Sequence, residues 1–534
     1  MTQPTRRALL ALGSLGAALP AQAQITTLDL RPASLPLRPD DWVAPGHRRD
    51  MLIRWGDRVT FDAPPWDPRN PAAEAAGAQF GWDARLAGLV TPPPAADGVK
   101  RLVLAVAHPE VDAAMAVPPG RDRPALVAAL SGLSLINLEQ QDGRWVLVDG
   151  GFQSRRIGVE TLCRVTGPGV GEIATASGGG GASVQGMIGP AGGGTTPWGT
   201  LLLPEPEPGP WLARLAPLDQ RFREPARFGW MVEVDPLDPQ SVPGKRTALG
   251  RIGALAVAAG LTTNGRAVVV MADGRPRGYL YRYLSTGPAG EHNALDVGTL
   301  SVARIEGDAI VWRDLPPGSA LDPGGAALGL GASAFDSLAG LALDPHLPRL
   351  LVASRAGRRG AGETDAFHPR AGASPGQVLE FTGDLAAPRL TGQALFLAGE
   401  SGEGGRYGRD QPMGGTLPRH PATLSLDARG RLWIGTDRRG LPGAAPDAVF
   451  VCDLDGPGRA VVLPAYGAPR GAGIGGVALT PELDAALVVV RTPGAEPGAS
   501  FARPATRWPA FEAATPPRSA VVVLSRTAGP PVGG

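Results

Sequence analysis

Short apolar runs, broken by turn residues, recur along this chain in place of any long helical period. Leu341-Ala342-Leu343-Asp344-Pro345 is followed by Arg349-Leu350-Leu351-Val352. Leu424-Ser425-Leu426-Asp427-Ala428 precedes Gly430-Arg431-Leu432-Trp433-Ile434, and Val477-Ala478-Leu479-Thr480-Pro481 precedes Ala486-Leu487-Val488-Val489-Val490. A fourth copy runs from Leu255-Ala256-Val257 through Asn264-Gly265-Arg266 to Val268-Val269-Val270. Each copy predicts a β-hairpin: an apolar strand meets a residue suited to a tight turn, and an aliphatic strand returns. Asn-Gly is a strong turn dipeptide because both central residues of that turn need positive φ. Hairpins spaced at uneven intervals from residue 250 to 490 predict an all-β propeller with long loops, since a sandwich packs its strands at shorter, more regular spacing. The Gly- and Pro-rich stretches Ala174 to Thr196, Pro316 to Ser333, Ala356 to Ser374 and Gly399 to Pro418 are the expected connections, on the faces where function concentrates.

Composition changes this picture little. The chain holds 76 glycines and 56 prolines among 534 residues, close to a disordered composition, but the recurrent apolar strands require a folded core. Acidic and basic residues nearly cancel, at a formal net charge of +1, which gives no electrostatic footprint for nucleic acid. Lys100 and Lys245 are the only lysines, so arginine carries almost all of the basic charge. Cys163 and Cys452 are either two small buried hydrophobes or a pair, and two distant cysteines define no disulfide framework.

The N-terminus carries an address. Arg6-Arg7 precedes an apolar stretch from Ala8 to Leu19, and Ala21-Gln22-Ala23 supplies the small-x-small pattern of a cleavage site. Residues 1–23 are therefore expected to be a twin-arginine signal peptide, with the twin-arginine translocase as a transient partner and the periplasm or exterior as destination. No later run is long enough to span a bilayer. Residues 24–534 are expected to form one domain, as a monomer.

Several segments of that domain resemble the PhoX family of secreted alkaline phosphatases. They are Met51-Leu52-Ile53-Arg54-Trp55-Gly56-Asp57, Ser154-Arg155-Arg156-Ile157, Thr196-Pro197-Trp198-Gly199-Thr200 and Gly229-Trp230-Met231-Val232-Glu233-Val234-Asp235-Pro236. Lys245 to Arg251, Tyr279 to Tyr283, Gly298 to Arg304, Gly430 to Ile434 and Trp508-Pro509 continue the series in order. The resemblance implies a six-bladed propeller that hydrolyses phosphomonoesters, with iron and calcium bound in its central channel. Such a centre needs hard oxygen ligands for calcium, and carboxylates and a thiolate for ferric iron.

At most of the corresponding positions this chain carries apolar residues. The family's cysteine before Thr-Pro-Trp-Gly-Thr falls at Ala191, and its His-Glu after Leu-Gly-Arg falls at Ala254-Leu255. Later acidic or amide positions fall at Ala339, Ala422-Thr423 and about Gly473, and the terminal Gln-His falls at Arg491-Thr492. Glu205, Asp273, Asp336, His108 and Glu110 survive as candidate metal or channel residues, and Arg155 and Arg156 as candidate phosphate ligands, because guanidinium forks pair with phosphate oxygens. Three readings follow: a phosphomonoesterase with an altered metal site, a non-catalytic propeller that binds a phosphate ester or other small ligand, and a calcium-dependent lactonase-like hydrolase. Six scattered histidines and the absence of a Gly-x-Ser-x-Gly elbow argue against histidine- or serine-based catalysis.

Overall fold

The computed structural model describes residues 28–120, 123–171, 173, 182–438, 445–529 and 531–534. The signal peptide expected at 1–23 and part of the Gly-rich stretch after Ala174 lie outside them. Among the described residues the chain is mostly β with a few short helices, none long and apolar enough to cross a membrane.

All four hairpins read from the sequence are present as antiparallel pairs. They join Ala254–Leu261 to Arg266–Asp273, Leu338–Leu343 to Arg349–Ser354, Pro421–Leu426 to Leu432–Thr436, and Gly473–Leu479 to Ala486–Arg491. Each hairpin opens a larger meander. Two of these meanders are fused through Ala309–Asp314 and Arg389–Leu397 into a nine-stranded sheet. Two further sheets come earlier in the chain, around Arg85–Val90 with Arg101–His108 and Gly132–Gln141, and around Leu201–Pro204 with Met231–Val234.

The first strand of each meander packs against the first strand of the next. Arg85–Val90 meets Leu201–Pro204, which meets Ala254–Leu261; Leu338–Leu343, Pro421–Leu426 and Gly473–Leu479 follow, and the last returns to Arg85–Val90. The ring is closed by strand pairing between the two ends of the domain, because His47–Arg54 pairs with Ala520–Arg526 in the same sheet as Gly473–Leu479.

The apolar runs are explained by burial on both strand faces. In Ala486–Arg491, Val488 and Val490 enter the core shared with Trp433, Val449 and Val451 of the preceding sheet. Leu487 and Val489 enter the core shared with Leu102, Leu104 and Val106 of the following one. Equivalent apolar layers separate the other neighbouring sheets. Cys163 and Cys452 are buried free thiols in different layers, so they are two small hydrophobes and not a pair. Burial pushes the Cys163 thiol up to about 11, which keeps it unreactive.

Candidate active site

Five of the inner strands share one irregularity. The antiparallel register skips a single residue near the start of each strand: Ala87, Leu255, Ala339, Ala422 and Gly475. Such bulges turn a side chain out of the ladder, and they concentrate at channel rims and beside active sites. Four of the skipped residues, Leu255, Ala339, Ala422 and Gly475, line one central cavity together with Ala191 and Arg85. Positions scattered over the sequence, of which Ala191, Leu255, Ala339 and Ala422 are marked there as substituted ligand sites, thus converge on one place.

The cavity is small, about 60 Å³, room for a few waters. Glycines let the inner strands close upon it. A Cβ on Gly475 would lie 2.2 Å from the Ala84 carbonyl oxygen, and one on Gly340 would lie 2.8 Å from that of Ala422. The donor set is equally restrictive. The re-aimed side chains are hydrocarbon or absent, and Arg85 brings a cation. Among the described residues no three His, Cys, Asp or Glu side chains gather as a metal-binding group. An iron–calcium centre therefore does not fit the inner cavity, because hard cations need converging anionic oxygens.

Charge reappears at one end of the channel as a buried quartet. Arg491 grips Asp83 through two nitrogens, Nε to Oδ1 at 3.0 Å and Nη2 to Oδ2 at 2.6 Å. Its Nη1 donates to Asp437 Oδ2 at 2.5 Å, to which Arg85 Nη2 also donates at 3.3 Å. All four side chains are buried. Burial opposes the charge on Arg491, but Asp83, Asp437 and Glu110 outweigh it and hold its pKa well above the usual value. Close by, burial and then the Asp437 charge push the Asp447 carboxyl up to about 6.

Two clefts open from this region. One, of about 500 Å³, is lined by Glu110, Asp437, Asp447, Arg438, Arg470 and Arg491 among others. The second, of about 650 Å³, reaches the inner cavity at Arg85, Ala191 and Leu255, and is walled by Glu110, Trp211, Arg251, Asp273 and Arg275. Of the sequence-derived candidates, Glu110 and Asp273 thus share a cleft. Asp273 is engaged there: Arg275 donates to both its carboxylate oxygens, with Nε at 3.0 and 2.8 Å.

The other candidates lie apart from that cleft and hold the fold. Glu205 is fully buried, paired with Lys245 Nζ at 3.1 Å from both oxygens, and accepts from the backbone N–H groups of Ile188, Gly229 and Trp230. Asp336 pairs with Arg359 Nε at 2.9 Å. His108 is buried against Phe80 and Ser134, and burial, then the Arg156 charge, drives its pKa well below the usual value, so the ring is neutral. Arg155 donates to the carbonyls of Gln153, Asp235 and Asp238. Arg156 donates to Ser134 Oγ and to the Ala129 and Ser131 carbonyls at the end of the Pro124–Leu130 helix. Burial lowers Arg156 to about 9.

Sequence reading missed Asp83, Arg85, Asp437 and Asp447. A signal was present: Arg85 opens one apolar strand and Arg491 closes another, and a charge at the end of a doubly buried run needs a buried counter-charge.

The family-model match and one solved structure agree with this architecture. The family model described as alkaline phosphatase PhoX matches residues 32–494. Among solved structures, Pseudomonas fluorescens PhoX in complex with vanadate, a transition-state analogue, superposes with a TM-score of 0.83 at 25% identity. That match covers 95% of this chain and 99% of the other. A putative 6-phosphogluconolactonase from Bacteroides uniformis matches at a TM-score of 0.33 and 11% identity, over 76% of this chain and 79% of the other. Among curated proteins none matches.

Proposed function

The chain belongs to the PhoX family of alkaline phosphatases, and from that premise we propose that it is an exported six-bladed propeller acting on small-molecule phosphate monoesters. The ring of six inner strands supports the blade count, and Arg6-Arg7 with Ala21-Gln22-Ala23 supports twin-arginine export of the chain from residue 24 on, read as one domain, 24–534, and a monomer. The ligand site in this reading is the 650 Å³ cleft above the inner cavity, a volume suited to a small molecule. Arg251 and Arg275 would meet the phosphoryl oxygens there, and the half-buried Trp211 the alcohol part. Glu110 stands on the same wall as an anionic side chain able to hold or accept a proton. Glu205, Asp336, His108, Arg155 and Arg156 support the blades in this reading.

The observation that carries the substrate class is the match of the family model over residues 32–494, with near-complete structural overlap on one PhoX. The apolar inner cavity favours a second reading, in which the ester is bound and not hydrolysed. Titration with orthophosphate and with an aryl phosphate, followed by calorimetry and by release of the aryl alcohol, separates the two. Binding with turnover supports the phosphatase, and binding alone supports the non-catalytic propeller. Absence of binding to either compound removes the substrate class.

A further inference from the structure

The buried quartet joins segments remote in sequence. Asp83 and Arg85 flank the start of the first inner strand, Asp437 follows Leu432–Thr436, and Arg491 ends Ala486–Arg491. Arg491 lies 408 residues from Asp83, and Arg85 lies 352 residues from Asp437. Two cations meet two anions, so the four side chains carry no net charge among themselves. We propose that this quartet is a guanidinium clasp that ties the first sheet to the last two by ion pairing, so that closure of the ring is independent of bound metal ions. The proposal rests on taking the channel as the family's site, where an iron–calcium centre does not fit.

The geometry is specific to arginine. A planar guanidinium presents several donors in a fixed fork, so Arg491 grips one carboxylate bidentately and still reaches a second. Lysine's single ammonium has no such fork. The seat is also reserved by backbone: a Cβ on Gly473 would lie 2.7 Å from Asp437 Oδ1 and 3.5 Å from Arg491 Cγ, so a larger residue there would displace the ion pair. The charges facing the clasp from neighbouring elements are Glu110 and, across Asp437, Asp447 with its partner Arg438. A buried ion pair does little for net stability against an apolar replacement of both partners, but losing one partner strands the other's charge. The clasp therefore acts as a specificity device for ring closure.

The test uses the full chain recovered from its export route, with thermal unfolding followed with and without a strong chelator. The expected results are a Tm unchanged by the chelator, and a fall of roughly 3–5 °C for Arg491→Met and for Arg491→Lys. Asp83→Asn combined with Arg491→Met should fall by less than the sum of the single variants, because the two residues act on each other. Should Arg491→Met fail to fold, Arg85→Met offers the same comparison at the end of the quartet joined by the 3.3 Å contact. A chelator-induced fall matching that of Arg491→Met, or additive single variants, overturns the clasp. The two readings fail separately: a chelator-insensitive Tm without phosphate-ester binding removes only the substrate class, and chelator-sensitive hydrolysis with a chelator-induced fall in Tm removes only the clasp.

Discussion

At the residue scale the chain spends its buried charges on structure. Glu205 and Lys245 show the pattern: each is fully buried, and together with three backbone donors they satisfy one another. Lys245→Met strands the carboxylate and is expected to cost about 3–5 kcal/mol in urea denaturation. Replacing both residues by apolar ones should not recover that loss, because the N–H groups of Ile188, Gly229 and Trp230 would then lack their acceptor. Asp447 makes a different prediction. Its folded pKa, raised from 3.8 to about 6 by burial and then by Asp437, means that the folded state holds the proton more tightly than the unfolded one. Its contribution to stability is therefore full below pH 3.8 and is lost as pH rises to about 6. The shift amounts to about 3 kcal/mol, and Asp447→Asn should remove that slope when stability is measured from pH 4 to 7. Neither residue's role was legible in the sequence. Glu205 reads there as a candidate metal or channel residue, because the lysine that neutralises it is supplied by a strand forty residues on.

At the element scale the hairpins were legible and the bulges were not. Apolar runs bounded by Asp427, Thr480 or Asn264-Gly265 announce strand, turn and strand by local chemistry alone. Ala339 and Ala422 each lie five residues before the turn residue of their hairpin, Asp344 or Asp427, which places both at the entry of an inner strand facing the channel. The pairing adds what the sequence does not mark, that each sits in a bulge. The inner glycines carry the same lesson. Gly340 has an ordinary φ, yet a Cβ there would press on the Ala422 carbonyl, whereas Gly430 has φ of 74° in an open turn. Gly340→Ala should therefore destabilise through crowding by about 1–3 kcal/mol. Gly430→Ala should cost about 1 kcal/mol through backbone strain alone. Chemical denaturation of the two variants checks both values, with the larger loss expected at Gly340 because the crowded atoms there are backbone.

At the scale of the whole molecule, the family, the β architecture and the convergence of the substituted positions were readable from motif order. The way the ring closes was not, because His47–Arg54 pairs with Ala520–Arg526 and Arg491 with Asp83 across almost the entire chain. The molecule has the family's frame, with an inner cavity lined by Leu255, Ala339, Ala422 and Gly475, and with Arg85 and Arg491 paired to Asp83 and Asp437 beside it. Its chemistry depends on whether that cavity holds metal ions. Elemental analysis of the protein recovered from its export route tests it most directly. The expected result is iron and calcium far below one atom per chain in a folded protein, and stoichiometric iron with calcium would contradict it.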